Sequence, residues 1–353
     1  MNIDYSKLLD REAIITDLDL IKDFIKGKRI LVTGGAGSIG SEIVRQLVNF
    51  SASTVTVFDN AEASMFHLEQ EISRSNPNSH IKYVIGDVRD KYRLEEVFDS
   101  FKPNIVFHAA AYKHVPMMEA NPVEAIKTNV LGTMNVSNIS YMNEVDKFIM
   151  VSTDKAVNPT NVMGATKRIA ELYTQFLETK SSTKFIVTRF GNVLGSEGSV
   201  IPTFINQIKR GGPVSVTHKE VIRYFMTIPE ACQLVLQASV LGNGGEVFLF
   251  DMGEPVSIND LAKNLIKHFK SKAKIEYIGL RPGEKLYEEL LCDSENMVTT
   301  EDINIMKLNH EEYDFKTLIP KIEKLSKIRS NDFYKIIVLM TSIVPEFKRE
   351  SND

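Results

Sequence analysis

The stretch Gly27–Val44, GKRILVTGGAGSIGSEIV, decides how the chain is read. Arg29 to Thr33 is a short apolar run of strand type. Gly34 to Gly40 is a glycine-rich turn, and from Ser41 onward Ile43, Leu47 and Val48 recur at helical spacing. A pyrophosphate settles on the open N–H groups of a helix N-terminus only where no side chain blocks its approach, and glycine gives that clearance. The turn fits G-x-x-G-x-x-G through Gly34, Gly37 and Gly40, or G-x-G-x-x-G through Gly35, Gly37 and Gly40. Glycines alone would also suit a hairpin. The strand before, the helix after, and Asp59 closing the next strand-like run, Thr54 to Asp59, complete a dinucleotide-binding pattern. Gly34, Gly37, Ser38, Ile39 and Gly40 are then the candidate phosphate contacts, with Asp59 and Asn60 at the ribose. A carboxylate at 59 accepts from a ribose diol and repels a 2′-phosphate, and Asn60-Ala61-Glu62-Ala63 brings no Arg to hold one. NAD is therefore expected over NADP.

Composition narrows the class. The 353 residues are 43% hydrophobic and 25% charged with net charge −4, so no basic excess points to nucleic acid. No apolar run approaches the roughly 20 residues that span a bilayer. The first residues, MNIDYSKLLDREAI, carry acids where an export signal would be basic and then apolar, so a soluble, cytoplasmic protein is expected. Two cysteines, Cys232 and Cys292, make no disulfide framework, and the seven histidines show no metal-binding spacing, so no metal is expected.

Along the chain, residues 1–27 form a lead-in whose Leu18, Ile21 and Ile25 mark a short amphipathic helix that packs beside the first strand or contacts a second copy. Strand-like runs at Thr54–Asp59, Ile81–Asp87, Asn104–Ala109, Lys147–Thr153 and Phe185–Phe190 alternate with helical patterns. Such alternation predicts a Rossmann-type doubly wound parallel sheet over 28–190. A smaller α/β substrate-binding domain is expected over 191–308, with a helix from Pro202 to Gly211 and a strand from Val247 to Met252 returning to the sheet. A helical tail is expected from Asn309 to 353, its last residues disordered. Ligands gather at the carboxyl ends of parallel strands. Asp87 and Val88 close the third strand, where Asp87 would meet the adenine. Ala109, Ala110 and Ala111 follow the fourth, small enough for a cofactor to lie against backbone, and then come Lys113 and His114. His114 alone reads as a surface or packing histidine rather than a base. Asn129, in the next helical run, is a buried polar hinge that needs partners. The fifth strand ends in Ser152-Thr153-Asp154-Lys155, and ten residues on Met163 and Lys167 share one face of a helix.

Six segments carry a family resemblance: TGGAGSIGSE from Thr33, HAAAYKHVPMME from His108, NPVEAIKTNVLGT from Asn121, VSTDKAVNPTNVMGATKR from Val151, RFGNVLGSEGSVIP from Arg189 and RPGEKLYEELL from Arg281. On them the chain resembles the extended short-chain dehydrogenases/reductases and, more closely, the bacterial nucleotide-sugar 4,6-dehydratases that act on UDP-N-acetylglucosamine in polysaccharide biosynthesis. Many of those are the soluble half of a larger membrane protein, and this chain looks like a free-standing version.

The resemblance implies a UDP-sugar substrate, a tightly bound NAD regenerated in each cycle and a homo-oligomer. It also implies a reaction in which hydride leaves C4, water is lost across C5–C6, and hydride returns to C6. One departure matters. The superfamily's Y-x-x-x-K tyrosine is Met163, and a thioether moves no proton, so Thr153, Asp154 or Lys155 must deprotonate O4. Met163 marks one subgroup of these dehydratases and leans toward retention at C5. Asp154 is assigned as acid toward the C6 hydroxyl and Lys155 as base at C5, its pKa lowered by burial beside Lys167 and the cofactor. Lys167 would hold the nicotinamide ribose. Lys113, Met117, Asn192, Ser199 and Val200 would line the sugar and uridine site, with Arg223, Arg281 and Glu284 suited to diphosphate and ribose. Two other readings are a nucleotide-sugar 4-epimerase, which needs the missing tyrosine, and a non-catalytic NAD-sensing protein, which has no use for RPGEK.

Overall fold

The strand-like runs of the first half pair in parallel because the inner ones are apolar on both faces and each is followed by a helix long enough to cross back over the sheet. The computed structural model describes residues 14, 16–291, 296–308, 312–330 and 332–349. Helix α1 (Leu18–Ile25) is followed by β1 (Arg29–Thr33), α2 (Ser38–Asn49), β2 (Thr54–Asp59), α3 (Glu62–Ser75), β3 (Ile81–Ile85), α4 (Lys91–Phe101) and β4 (Ile105–His108). A longer crossover holds α5 (Val115–Ala120), α6 (Pro122–Ala125), a π-helical stretch over Ile126–Gly132, and α7 (Thr133–Met142). It leads to β5 (Lys147–Val151), α8 (Val162–Glu178) and β6 (Lys184–Arg189).

The chain then leaves the sheet for β7 (Asn192–Leu194), α9 (Val200–Lys209), β8 (Val214–Val216), β9 (Ile222–Arg223), β10 (Phe225–Thr227) and α10 (Ile228–Leu241), and returns as β11 (Val247–Phe250). It leaves again for β12 (Val256–Ser257), α11 (Ile258–His268) and β13 (Ile275–Tyr277), and comes back as the antiparallel pair β14 (Met297–Thr299) and β15 (Ile305–Leu308). Helices α12 (Phe315–Ser326) and α13 (Phe333–Ile343) end the described chain.

The nine-stranded order is β3-β2-β1-β4-β5-β6-β11-β15-β14, which contains the doubly wound order with its reversal between β1 and β4. The fold is therefore the Rossmann-type α/β class. Side chains alternate across it. Leu31 joins a core with Phe98, Phe148 and Phe185 under α4, α7 and α8. Ile30 and Val32 join Val57, Phe107 and Ile186 under α2, α3 and α10. Each such fully buried side chain contributes about 1.5–3 kcal/mol relative to exposure. A separate apolar cluster, with Ile201, Phe204, Val214, Phe225 and Leu261, holds α9, β8 and α11 together away from the sheet.

Several boundaries differ from expectation. Strand pairing stops at Ile85, His108, Val151 and Arg189, two or fewer residues short of the apolar runs, because the chain turns out of the ladder where the site begins. Helix α2 starts at Ser38 inside the glycine turn, and α9 covers Val200–Lys209 rather than Pro202–Gly211. In α1, Ile21 and Ile25 are buried while Leu18 stays exposed. Helices α12 and α13 fasten onto α8. Ile336, Met340, Ile343 and Phe347 are buried, Arg168 Nε donates to Glu346 at 3.1 Å, and the Lys348 N–H donates to the Pro159 carbonyl at 3.1 Å. The ends of the chain beyond residue 349 lie outside the described residues, as does Cys292. Cys232 is a free, buried thiol. Among the described residues no helix is long and apolar enough to cross a membrane.

Candidate functional site

The glycine turn is built by backbone against backbone. Gly34 sits at φ +66°, and a Cβ there would lie 2.5 Å from the Ala110 nitrogen; one at Gly40 would lie 2.1 Å from the Gly34 carbonyl oxygen. Ala109 and Ala110 are therefore small because the turn packs on them. A Cβ at Gly37 would meet only the Gly34 oxygen, at 3.3 Å, so this glycine leaves open space in front of α2. Gly37 also gives α2 no side-chain cap, which leaves the first-turn N–H groups of Ser38, Ile39 and Gly40 to an outside acceptor. Beside this cradle Asp59 is fixed, Oδ2 accepting from the Ala36 N–H and Oδ1 from the Ala61 N–H, both at 2.9 Å. An uncapped, glycine-cleared helix start next to a clamped carboxylate fits the pyrophosphate and ribose of a nicotinamide dinucleotide.

At the next strand ends, Asn60 Nδ2 donates to Asp87 Oδ2 at 3.1 Å and Arg89 forks onto the same carboxylate. Burial pushes the Asp87 carboxyl upward, yet the hydrogen bonds from Arg89 and Asn60 outweigh it and leave a net downward shift. Val88 is core, packed on Gly132. Asn129 finds the partners it needs. Its Oδ1 accepts from the Tyr112 N–H at 2.8 Å, and its Nδ2 donates to the Tyr112 carbonyl and to Thr166 Oγ1, each at 3.0 Å. That pins the segment after Ala111. His108 is fully buried between Thr33 and Thr133. Thr133 already donates to the Asn129 carbonyl, so it accepts from the histidine Nε2–H, which leaves Nδ1 to accept from Thr33. Burial, helped by the Lys167 charge, holds the imidazole neutral with a pKa pushed down to about 3. Lys113 is exposed at its surface, yet partial desolvation lowers its pKa against the pull of Glu197; His114 packs under Gly198, and Met117 is exposed on α5.

The richest cluster lies past β5. Asp154 is fully buried. Its Oδ1 accepts from Thr153 Oγ1 at 2.8 Å and from Lys155 Nζ at 3.0 Å, while its Oδ2 has no hydrogen-bond partner. Lys155 Nζ also donates to Asn192 Oδ1 at 3.2 Å and lies 3.6 Å from Glu288 Oε1. Glu288 in turn lies 3.6 Å from Arg223 Nε. Two carboxylates and two cations thus close a charge-balanced group. Burial pulls the Lys155 pKa down, but Asp154 and Glu288 outweigh it and hold the ammonium above its ordinary value. The expected lowering at Lys155 is not what this structure gives. Beside this group it is Lys167 whose pKa is lowered, to about 8, by burial against Glu171, with Nζ donating to the Val151 carbonyl at 2.7 Å. Met163 is buried one helical turn before it.

Other site residues fall differently from expectation. Arg223 is not turned toward an open diphosphate site. Its guanidinium donates to the carbonyls of Ile222, Lys285 and Leu286. Arg281 and Glu284 close on each other as an ion pair. Ser199 opens α9 just before Val200 with its hydroxyl buried and unpartnered, and the neighbouring Glu197 N–H donates to Ser38 Oγ at 3.1 Å, joining this loop to the glycine turn.

Sequence reading missed Glu288, although RPGEKLYEELL was singled out: the segment has three acids, and only folding shows which one turns inward. It also missed the support behind the strand end. Glu171 is fully buried and accepts from Ser152 Oγ, from Arg189 Nε at 2.9 Å and from Arg168 Nη1 at 3.2 Å. Among the described residues no group of His, Cys, Asp and Glu is arranged to hold a metal.

Residues 30–310 match the family described as polysaccharide biosynthesis protein. The chain is 56% identical over 299 residues to the capsular polysaccharide biosynthesis protein CapD of Staphylococcus aureus, covering 83% of this chain and 50% of that one. It therefore spans about half the length of that relative. It is 40% identical over 284 residues to a UDP-glucose 4-epimerase of Rickettsia rickettsii, covering 78% of this chain and 81% of that one. Among solved structures it is similar to Pen from Bacillus thuringiensis, with TM-score 0.76 and 39% identity over 81% of this chain and 90% of that one. The fold, the glycine cradle and these matches agree: the chain belongs to the polysaccharide biosynthesis protein family, within the extended short-chain dehydrogenases/reductases.

Proposed function

We propose that the chain is an NAD-dependent 4,6-dehydratase of UDP-N-acetylglucosamine, with 28–190 binding the cofactor and 191–308 the nucleotide sugar. The observation that carries this reading is the Thr153–Asp154–Lys155 cluster, fixed at a strand end within the same site as Lys167 and a proton-inert Met163. When bound, NAD supplies the acceptor for hydride from C4 and its return to C6. Ser38, Ile39 and Gly40 would receive the pyrophosphate, Asp59 the adenosine ribose, and Lys167 the nicotinamide ribose. Thr153, donating to Asp154 Oδ1, is suited to pass the O4 proton to that carboxylate, which then protonates the departing C6 hydroxyl. Lys155, once neutral, takes the C5 proton, and its ammonium, whose other N–H positions are deuterated in deuterated water, gives a proton or deuteron back to the same carbon. The proton count closes: two leave the sugar, one departs in water and one goes back. The buried site keeps bulk water from the acidified C5, and C5 configuration is retained.

A second reading, a 4-epimerase, has the 40% identity to a protein of that name in its favour. Proton NMR of the purified protein with UDP-N-acetylglucosamine in deuterated water, without added cofactor, separates the two. A 6-deoxy-4-keto product with deuterium at C5 is expected. A 6-hydroxylated C4 epimer would replace the dehydratase by the epimerase, and unchanged substrate even with added NAD would remove both for this sugar.

A further inference from the structure

Glu288 is the buried acid that the reaction scheme leaves without a task. Its side chain is 6% exposed, yet it belongs to the irregular segment that also carries Arg281 and Glu284. That segment is tied down on both sides. The Ile222 N–H and Arg223 hold the Leu286 carbonyl, and Asn161 Nδ2 donates to the Gly283 carbonyl at 3.0 Å. Lys285 Nζ and Asn158 Nδ2 both reach Glu289, at 3.2 and 3.0 Å. These tethers fix where Glu288 stands. It faces Lys155 on one side and Arg223 on the other, while Asp154 and Asn192 hold the Lys155 ammonium from the sheet.

We infer that Glu288 is a positioning residue that sets when Lys155 can act as a base. Its carboxylate, brought in by the 281–291 segment, keeps the Lys155 amine charged and seated between Asp154 and Asn192. The role of Lys155 in the reaction rests on the function proposed above; the electrostatic control does not. The physical reason is local. Around Lys155, burial and Arg223 oppose the charge, and Asp154 and Glu288 favour it. Removing one of two carboxylates tips that balance toward the neutral amine. Glu288 itself is pushed above the ordinary carboxylate range by burial and by Asp154, against Lys155, Arg223 and Lys285.

The test is competitive labelling of lysines with acetic anhydride across pH, read at Lys155 by peptide mass spectrometry on the full chain. In the wild type, Lys155 should lose its proton at higher pH than exposed lysines. In Glu288→Gln its labelling near about pH 9 should rise on the order of tenfold, while Glu288→Asp, which keeps the charge, stays within about twofold of wild type. The acid limb of kcat/KM should move to lower pH in Glu288→Gln. Unshifted labelling in folded Glu288→Gln, or an Asp variant that behaves like Gln, overturns the inference. So does a wild-type Lys155 that titrates at or below exposed lysines, a result that needs no variant to fold. Shifted labelling without any keto-sugar product would remove the proposed function and leave this inference standing.

Discussion

Replacing Gly164 by Ala perturbs the site without touching any reacting group. Gly164 follows Met163 in the first turn of α8, and a Cβ there would lie 2.0 Å from the Lys155 carbonyl oxygen, 3.0 Å from the Lys155 carbonyl carbon and 3.3 Å from Asn161 Oδ1. The nearest atoms are backbone, so no side-chain rotation relieves the clash. Real Cβ contacts do not fall below 3.0 Å, so the turn bearing Asp154 and Lys155 must move at least about 1 Å off α8. Overpacking of this kind costs about 1–3 kcal/mol, and the helix preference of Ala over Gly offsets up to about 1 kcal/mol. For a chain of this size that is a fall in Tm of a few degrees, leaving the protein folded. A displacement of about 1 Å between a proton-transferring group and its substrate costs roughly 100-fold in rate. Gly164→Ala is therefore expected to lower kcat about 100-fold in the keto-sugar assay, with calorimetry showing a single, slightly earlier transition. Wild-type turnover together with an unchanged Tm would refute the claim that α8 sets the height of the Lys155 turn.

Glu171→Gln should destabilise the fold by about 3–5 kcal/mol in urea titrations, because Arg189 and Arg168 lose their shared buried counter-charge. Burial raises the Glu171 pKa, but the two guanidinium groups and Ser152 bring it below the ordinary value. Its contribution is thus present above about pH 4.3 and lost as pH falls through the folded-state value. His108, with a folded pKa of about 3 against about 6.5 unfolded, works in the same direction from a higher pH. Stability should decline by about 2 kcal/mol by about pH 5 on its account, while its imidazole NMR shifts stay at the neutral position; protonation there would contradict the buried Thr33–His108–Thr133 arrangement. Asp59→Ser should weaken NAD binding roughly tenfold and narrow any preference over NADP, measured by calorimetric titration. Unchanged NAD affinity would separate Asp59 from the ribose.

The parallel sheet was legible because its inner strands are apolar on both faces and its first turn is governed by short-range sterics that glycine spacing reports directly. Asp59, the His108 strand end and the pairing of Met163 with Lys167 came from the same local logic. What sequence could not give was the direction of the Lys155 shift. That depends on Glu288, which lies 133 positions further along the chain and arrives beside Lys155 only through the tethers of the 281–291 segment. Arg223 and the Arg281–Glu284 pair show the same limit. Their residue types suit phosphate and ribose, but their donors and acceptors are taken up by neighbouring carbonyls and by each other, which is decided by tertiary packing.

The return of the chain to the sheet has a consequence for its birth on the ribosome. Strand β6 gains its outer neighbour only when β11 has been synthesised, and β11 in turn waits for β15. During that interval the nascent chain carries an open, apolar strand edge, a template for pairing with other chains. The segment made in the meantime, from Asn192 to Leu241, contains α9 and α10, and α10 packs against α2 across the face of the sheet. Slow translation or truncation between Arg189 and Val247 should therefore yield aggregates rather than a soluble half-domain.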